Sequence, residues 1–256
     1  MKIGIPPLVI GNWKMNPQSA TLSAKLATAL KKTVSKIEGV EVVIAPPTIY
    51  LSGIRQILGS NKVLKLGAQN VHHEKLGAYT GETSLPMLQS FDVTHVIIGH
   101  SERRAEGETD EMVNQKLCAT IKQGIVGVVC VGEAKRDHGG HYLSHIEAQI
   151  HKAFAKISKT YLEYVVVAYE PLWAIGTGTN ATSADVHEMR LFIERVLTDM
   201  YGRNFAQKVR VLYGGSVTGK NARELFVNGT VNGFLVGGAS LHADEFIQIV
   251  KAVQFL

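Results

Sequence analysis

His100 and Glu170 are the two side chains of this sequence best placed to exchange protons with a small molecule. His100 follows the apolar run 94–98 and a glycine, and Glu170 directly follows the apolar run 164–169. A carboxylate there could act as a general base. At the start of a helix, the dipole favours neutral imidazole, which could donate to a carbonyl oxygen. We therefore expect an acid–base pair, with helix capping by Glu170 and a structural role for His100 as the alternatives.

Asn12 and Lys14 could stabilise negative charge on the same molecule. They lie at and just beyond the end of the run 8–12. Side chains two residues apart in an extended segment point the same way, so we expect both to face one site. The lysine would offset negative charge and the amide would donate to a developing oxyanion. The alternative for Lys14 is a solvated position beside a turn.

Two glycine-rich turns could bind a phosphate group. Gly214-Gly215-Ser216 follows the run 209–213, and Gly237-Gly238 follows the run 231–236. Glycines let backbone N–H groups approach an anion closely, and a following helix adds its dipole. Alternatively, the glycines serve tight turns that need a positive φ.

The segment 171–178 (PLWAIGTG) places apolar residues between a proline and glycines. It predicts a lid that closes over the site and excludes water, or a packed loop anchored by Trp173. With Glu170 as base and the amide, lysine and histidine as electrophiles, the sequence predicts proton abstraction next to a carbonyl. The two glycine turns indicate a small phosphorylated substrate.

These residues are positioned by a regular alternation of apolar and amphipathic segments. Helical patterns occupy 19–37, 111–122 and 183–201, and Leu22, Leu26, Leu30 and Val34 form a candidate buried row. Asp185 in the first turn of the third segment suits its dipole. Eight runs rich in β-branched residues predict strands at 8–12, 40–45, 63–68, 94–98, 127–131, 164–169, 209–213 and 231–236.

Apolar strands separated by helices predict a parallel sheet. Eight such units in 256 residues favour a (β/α)8 barrel comprising one domain, 1–256, with a doubly wound open sheet as the alternative. In a barrel, functional groups lie in the loops after the strands, which is where all the candidate residues occur.

Composition limits the class of protein only loosely. The net charge of +5 suits an anionic small molecule or a nucleic acid, but the basic residues form no long run. With only Cys118 and Cys130, we expect a reducing cytoplasm. Pro6 and Pro7 interrupt the apolar stretch near the start, and we expect neither a secretory signal nor a membrane span.

Several weaker patterns point elsewhere. The stretch 214–220 fits G-x-x-x-x-G-K, but Asn221 replaces the hydroxyl residue that would hold magnesium. A G-x-G-x-x-A pattern at 176–181 begins too far beyond its strand for a dinucleotide fingerprint. His138, His141 and His145 could approach one another, although a solvated helix face is favoured over a metal site.

Alternative functions on the same fold include an aldolase and a phosphate-binding module without catalysis. An aldolase would need a lysine within a strand to form a Schiff base with the substrate. The predicted strands contain one lysine, Lys65, which is therefore the candidate.

The sequence resembles the triosephosphate isomerase family along essentially its whole length. The matching segments are GNWKMN at 11–16, GHSERR at 99–104, CVGE at 130–133, AYEPLWAIGTG at 168–178, YGGSV at 213–217 and GFLVGGASL at 233–241. Two departures are one residue fewer after Arg104 than the family commonly has, and Thr179 where many members have lysine. These affect the packing of the fourth helical segment and the lid rather than the catalytic set.

The resemblance implies interconversion of dihydroxyacetone phosphate and glyceraldehyde 3-phosphate without cofactor or metal. It implies Glu170 as proton acceptor, His100 as electrophile, Asn12 and Lys14 as substrate-binding groups, phosphate binding by the amides of Gly176, Ser216, Gly237 and Gly238, and support from Ser101, Glu102 and Tyr213. It also implies a homodimer in which the loop 69–84 enters the neighbouring subunit beside Asn12 and Lys14.

Overall fold

Eight parallel strands form a closed barrel in a computed structural model that describes residues 5–59, 63–137, 139–174 and 181–254. The strands are β1 (Leu8–Asn12), β2 (Glu41–Ala45), β3 (Leu64–Ala68), β4 (Val93–Ile98), β5 (Val126–Val131), β6 (Val165–Tyr169), β7 (Arg210–Tyr213) and β8 (Gly233–Val236). They pair in chain order, and β8 pairs with β1. The predicted fold class, a (β/α)8 barrel, is confirmed.

Helices surround the barrel in the described part of the chain. They are α1 (Ala20–Val34), α2 (Leu51–Leu58), α3 (Leu85–Gln89), α4 (Ser101–Ala105), α5 (Asp110–Lys122), α6 (His141–Ala153), α7 (Ser183–Tyr201), α8 (Arg203–Ala206), α9 (Ala222–Asn228) and α10 (Ala243–Ala252). Short 3-10 turns occupy Thr48–Tyr50, Lys159–Tyr164, Leu172–Ala174 and Gly238–Leu241. Among these described residues, no helix is both long and apolar enough to cross a membrane.

Strand residues are buried on both faces, which explains their continuous apolar runs. In β1, Leu8 and Ile10 belong to the cluster that fills the barrel, whereas Val9 belongs to the cluster between strands and helices. Both clusters exclude water, so the strands show no alternation of polar and apolar residues. Because the strands are parallel, their carboxyl ends and the loops that follow them all lie at one end of the barrel.

The predicted buried row of α1 is wrong in part. Leu22 is 51% exposed and Leu26 is half-buried, while the buried residues of the helix are Ser23, Ala27, Leu30 and Val34. A step of four residues advances about 40° beyond a full helical turn, so a strict four-residue row drifts off the buried face. The α7 boundaries, in contrast, match the prediction, and Thr182 and Asp185 cap the helix reciprocally.

A charged cluster closes the amino end of the barrel. Glu41 bonds Lys65 at 2.7 Å and Arg210 at 2.6 Å, and His95 Nε2 lies 3.5 Å from its Oε1. Burial by itself would raise the pKa of Glu41, but its basic partners lower it to about 2. Burial, reinforced by Arg210 and Lys65, lowers the pKa of His95 to about 3 against the opposing effect of Glu41.

We predict that His95 makes the fold less stable as the pH falls. Unfolded His95 binds a proton below its ordinary pKa of 6.5, whereas the folded protein admits this proton only near pH 3. Between pH 6.5 and pH 4.5, His95 therefore removes up to about 1.4 kcal/mol of unfolding free energy per pH unit. Glu41 acts in the same direction below its ordinary pKa of 4.5.

Urea unfolding at fixed protein concentration tests this with His95→Gln, a neutral polar replacement. The variant should lose less unfolding free energy than the wild type over this pH range. Parallel curves for the two proteins contradict the prediction.

Candidate active site

A cavity of about 280 Å³ opens at the carboxyl ends of the strands. Its volume suits a small molecule rather than a macromolecule. Its walls include these candidate residues: Asn12, Lys14, His100, Ser101, Glu170, Ser216, Gly237 and Gly238. Residues more than two hundred positions apart in the sequence thus meet at one site because β1 and β8 are neighbours.

His100 and Glu170 contact each other at the wall of this cavity. His100 caps α4, and its Nδ1 accepts a hydrogen bond from the Glu102 N–H at 3.2 Å. The ring proton of a neutral imidazole is consequently on Nε2, which lies 3.0 Å from Glu170 Oε1. The other carboxylate oxygen, Oε2, accepts from the Ser101 N–H at 3.0 Å. Two donors thereby hold the Glu170 carboxylate, whose residue is only 2% exposed.

Lys14 reaches the cavity by a different backbone path from the one expected. Its φ of 52° is left-handed, so the extended geometry assumed for Asn12 and Lys14 is wrong. The Lys14 N–H donates to Asn12 Oδ1 at 3.1 Å, and Gln69 Nε2 donates to the Lys14 carbonyl at 2.9 Å. These bonds stabilise a turn that brings both side chains to the site. Lys14 Nζ bonds Glu102 Oε1 at 2.5 Å.

In the first of the two phosphate-binding candidates, crowding rather than a positive φ requires glycine. Gly214, Gly215, Gly237 and Gly238 all lie in the described chain, and none has a positive φ, so that alternative is wrong. A Cβ on Gly215 would lie 2.2 Å from Tyr213 Oη. Only glycine therefore lets this backbone pass the tyrosine without displacing it.

Tyr213 lies beneath this turn and does not itself line the cavity. Burial raises the pKa of its phenol to about 12, so it remains protonated.

Glu133 binds the chain on both sides of Glu170. Its Oε1 accepts from Tyr169 Oη at 2.8 Å and from Trp173 Nε1 at 2.9 Å, and its carbonyl accepts from the Leu172 N–H at 3.0 Å. The sequence analysis did not predict this role for Glu133. Its position as an acidic residue just after a buried strand is the sequence feature that could have indicated it.

The chain matches the family model for triosephosphate isomerase over residues 7–253. The triosephosphate isomerase of Carboxydothermus hydrogenoformans is 44% identical over 248 residues, covering 96% of this chain and 98% of that protein. The triosephosphate isomerases of Saccharopolyspora erythraea and Alkaliphilus oremlandii are 44% and 43% identical, respectively, with at least 95% of each chain covered. The chain belongs to the triosephosphate isomerase family.

Some family positions lie outside the described residues. These are Gly176, Thr179 and the lid portion 175–178, and His138 of the histidine group also lies outside them. Glu102 contacts Lys14 and the His100 ring, although it does not line the cavity.

Other candidates have different surroundings. His141 bonds Asp137 and His145 bonds Gln149, and the described residues contain no group of three or more potential ligands arranged for a metal ion. Lys65 bonds Glu41 at the amino end of the barrel, which argues against an aldolase Schiff base in the cavity.

Side-chain contacts link the segment after Arg104 to the end of β4 and the start of α5. Arg104 Nε donates to the Gly99 carbonyl at 2.8 Å, and its Nη1 bonds Asp110 at 2.6 Å. The buried Glu108 accepts from the Gly99 N–H at 3.0 Å and pairs with Lys116. These contacts tie the turn to the strand end that carries His100.

We predict that the proton of the His100 ring is on Nε2. The Glu102 N–H occupies Nδ1 as an acceptor, so that nitrogen has no proton in this geometry. In ¹⁵N NMR of the labelled protein, one His100 nitrogen should appear protonated and the other unprotonated. The His100→Gln variant identifies the resonances, and a spectrum with both nitrogens protonated contradicts the assignment.

Proposed function

We propose that this isomerase interconverts dihydroxyacetone phosphate and D-glyceraldehyde 3-phosphate through an enediolate, in glycolysis and gluconeogenesis. The observation that carries the proposal is the approach of Glu170 and His100 to 3.0 Å in a cavity that the two glycine turns also line. Membership of the triosephosphate isomerase family supports the same reaction.

Glu170 removes the proton from the carbon next to the substrate carbonyl. The C–H electron pair becomes the carbon–carbon double bond of the enediolate, and the carbonyl oxygen takes the negative charge. The hydroxyl proton on the first carbon then passes to the charged oxygen by way of His100 Nε2, and the carboxylic acid returns its proton to the neighbouring carbon. The pair of the carbon–carbon double bond forms the new C–H bond, and the oxygen that lost its proton becomes the new carbonyl. Because a base and its conjugate acid both act, no external oxidant or reductant is required.

His100, Asn12 and Lys14 stabilise the charged oxygen. The Nε2–H of His100 points at Glu170 in the structure, so the substrate oxygen must replace Glu170 Oε1 as its acceptor. This exchange frees the carboxylate to reach carbon. Lys14 supplies positive charge and Asn12 an amide donor in a site where few waters compete.

The phosphate group binds to the two glycine turns that line the same cavity. We assign its binding to the backbone N–H groups of Ser216, Gly237 and Gly238, together with Gly176. Ser101 and Glu102 support the site through Glu170 and Lys14, and Tyr213 supports the Ser216 turn. No cofactor or metal takes part in this mechanism.

A coupled assay of glyceraldehyde 3-phosphate conversion tests the activity directly. Turnover well above background is expected from folded protein. Binding of a phosphoglycolate-like anion without turnover contradicts the isomerase proposal and identifies a non-catalytic phosphate-binding protein instead.

We predict that Glu170→Gln lowers kcat by about 10²- to 10⁴-fold. Glutamine retains an oxygen that can accept from the Ser101 N–H, but it cannot take a proton from carbon. Steady-state kinetics with circular dichroism as the folding control measure the effect. A variant with near-normal kcat contradicts the assignment of Glu170 as the base.

We also propose that two copies associate through the loops after β1, β2 and β3. Gln69 Nε2 donates to the carbonyls of Lys14 and Ala45, which ties the three loops together. The exposed apolar side chains on these loops are Met15 at 93%, Ile49 at 82% and Leu76 at 84%. An apolar surface of this kind favours a protein partner, and the loop 69–84 would provide the projecting element.

We predict that Leu76→Asp dissociates the dimer. The side chain is exposed in one chain, so folding is unaffected, whereas the charge would be buried between subunits. An interface anchor contributes about 2 kcal/mol, which corresponds to a rise in the dimer Kd of about 30-fold. The matched control is Leu191→Asp, an exposed leucine on α7 outside these loops.

Sedimentation over a range of protein concentrations measures both variants. Monomer should appear for Leu76→Asp at concentrations where wild type and Leu191→Asp are dimeric. Equal dissociation of the two variants, or a monomeric wild type, contradicts the proposed interface.

The single-domain organisation over 1–256 and a cytoplasmic location are part of the same proposal. A barrel that uses strands from Leu8 to Val236 supports the first. The free thiols of Cys118 and Cys130 support the second, since a reducing compartment keeps thiols unpaired.

A further inference from the structure

Arg136 connects three elements around the site without lining the cavity. It lies in the loop between β5 and α6, three residues after Glu133. Its Nε lies 3.1 Å from Glu133 Oε1, and its Nη2 donates to Tyr169 Oη at 3.1 Å. Its Nη1 bonds Asp185 at 2.9 Å and Glu188 at 3.1 Å. One guanidinium therefore spans the ends of β5 and β6 and the start of α7.

Glu133 depends on this cation. The residue is 2% exposed, and a buried carboxylate without a counter-charge is costly. Burial and the neighbouring Glu133 charge raise the pKa of Tyr169, which therefore stays protonated and donates to Glu133. Burial would lower the pKa of Arg136, but its hydrogen bonds to Tyr169 and Glu133, together with the Glu133 charge, raise it, so its charge is permanent.

The groups that Glu133 binds flank the base on both sides. Tyr169 directly precedes Glu170, and Leu172 and Trp173 follow it closely. A change in the Glu133 side chain would therefore release the chain before and after Glu170. Since proton transfer needs carbon and carboxylate in contact, small displacements there have large effects on rate.

The guanidinium also packs against Trp173. Its Cζ lies 5.3 Å from the centre of the indole ring and 5.1 Å from that of Tyr142. Contacts in several directions need the planar fork of arginine, because a lysine ammonium is a point charge on a flexible stem. Arg136 is thus specified by shape as well as by charge.

We propose that Arg136 is a positioning residue for Glu170, acting through Glu133 and Trp173. By neutralising Glu133, it keeps that carboxylate on the Tyr169 hydroxyl and the Trp173 indole, and these bonds fix the segment that carries the base. The inference rests on the proposed isomerase function for its kinetic consequence. A merely structural ion pair would alter stability alone.

Arg136→Gln should lower kcat by roughly tenfold to a hundredfold, the effect of misplacing a reacting group. KM should change little, since Lys14, Ser216, Gly237 and Gly238 are untouched. Arg136→Lys should have a melting temperature close to that of the wild type but should keep only part of its kcat, because a lysine ammonium cannot bond Glu133 and Asp185 together. Arg195→Gln is the control, since Arg195 also packs on an aromatic ring, 4.9 Å from Phe192, away from the site.

A double-mutant cycle with Trp173→Phe tests the route of the effect. Phenylalanine lacks the indole N–H that Glu133 accepts, so Arg136→Gln should lower kcat less in this background than in the wild type. A shift in Trp173 fluorescence, obtained by subtracting the emission of Trp173→Phe, should accompany Arg136→Gln in either case. Additive kcat effects, or an unchanged kcat per folded molecule, overturn the proposal.

The outcomes separate this inference from the proposed function. A folded wild type without turnover contradicts the isomerase assignment, and the Trp173 fluorescence then decides alone whether Arg136 holds the indole. An unchanged Trp173 signal in Arg136→Gln overturns the positioning role in that case too. An active wild type with an equally active Arg136→Gln overturns only the role of Arg136.

Discussion

Pairing of β8 with β1 closes the barrel, and the site depends on this closure. Val9 is in register with Phe234 and Gly11 with Val236, which places the end of β1 beside the turn that follows β8. A Cβ on Gly237 would lie 3.4 Å from Lys14 Cε. An open sheet with the same elements would separate Asn12 and Lys14, to which we assign charge stabilisation, from the glycine turn after β8, to which we assign phosphate binding. The closed parallel order also brings Glu170 and His100 together across β5.

Buried acids around the site are each held by specific donors. Glu170 accepts from Ser101 and faces His100, Glu133 has Arg136, and Glu108 has Lys116 and the Gly99 N–H. Removal of these charges from water is compensated only if such partners are fixed in place. These carboxylates are therefore oriented by protein donors before any substrate binds, which suits a reaction that relies on preorganised charges.

The sequence predicted the barrel well because its signals are local. The boundaries of β1 and α7 were correct, since continuous apolar runs and capping residues act over a few positions. The candidate site residues were predicted from the strand ends, because the carboxyl ends of parallel strands lie at the same end of the barrel. The strict four-residue row of α1 failed, since Leu22 and Leu26 drift towards solvent along the helix.

Features set by distant contacts could not be predicted from residue types alone. The left-handed turn at Lys14 depends on the side chain of Gln69, fifty-five positions away. The pairing of Arg136 with Asp185 and Tyr169 likewise joins residues far apart in the sequence. Such bonds form between loops that are neighbours at the end of the barrel. Which loops are neighbours is known only after the fold has been determined.

The central claim is that a substrate oxygen takes the place of Glu170 on His100 and so frees the base. A crystal structure with a phosphoglycolate-like anion, whose carboxylate stands for the enediolate oxygens, tests this most directly. The account predicts a carboxylate oxygen on His100 Nε2, the phosphate on the N–H groups of Ser216, Gly237 and Gly238, and Glu170 moved away from the Ser101 N–H. Bound anion with Glu170 still on Ser101 and His100, or anion bound elsewhere, would contradict it.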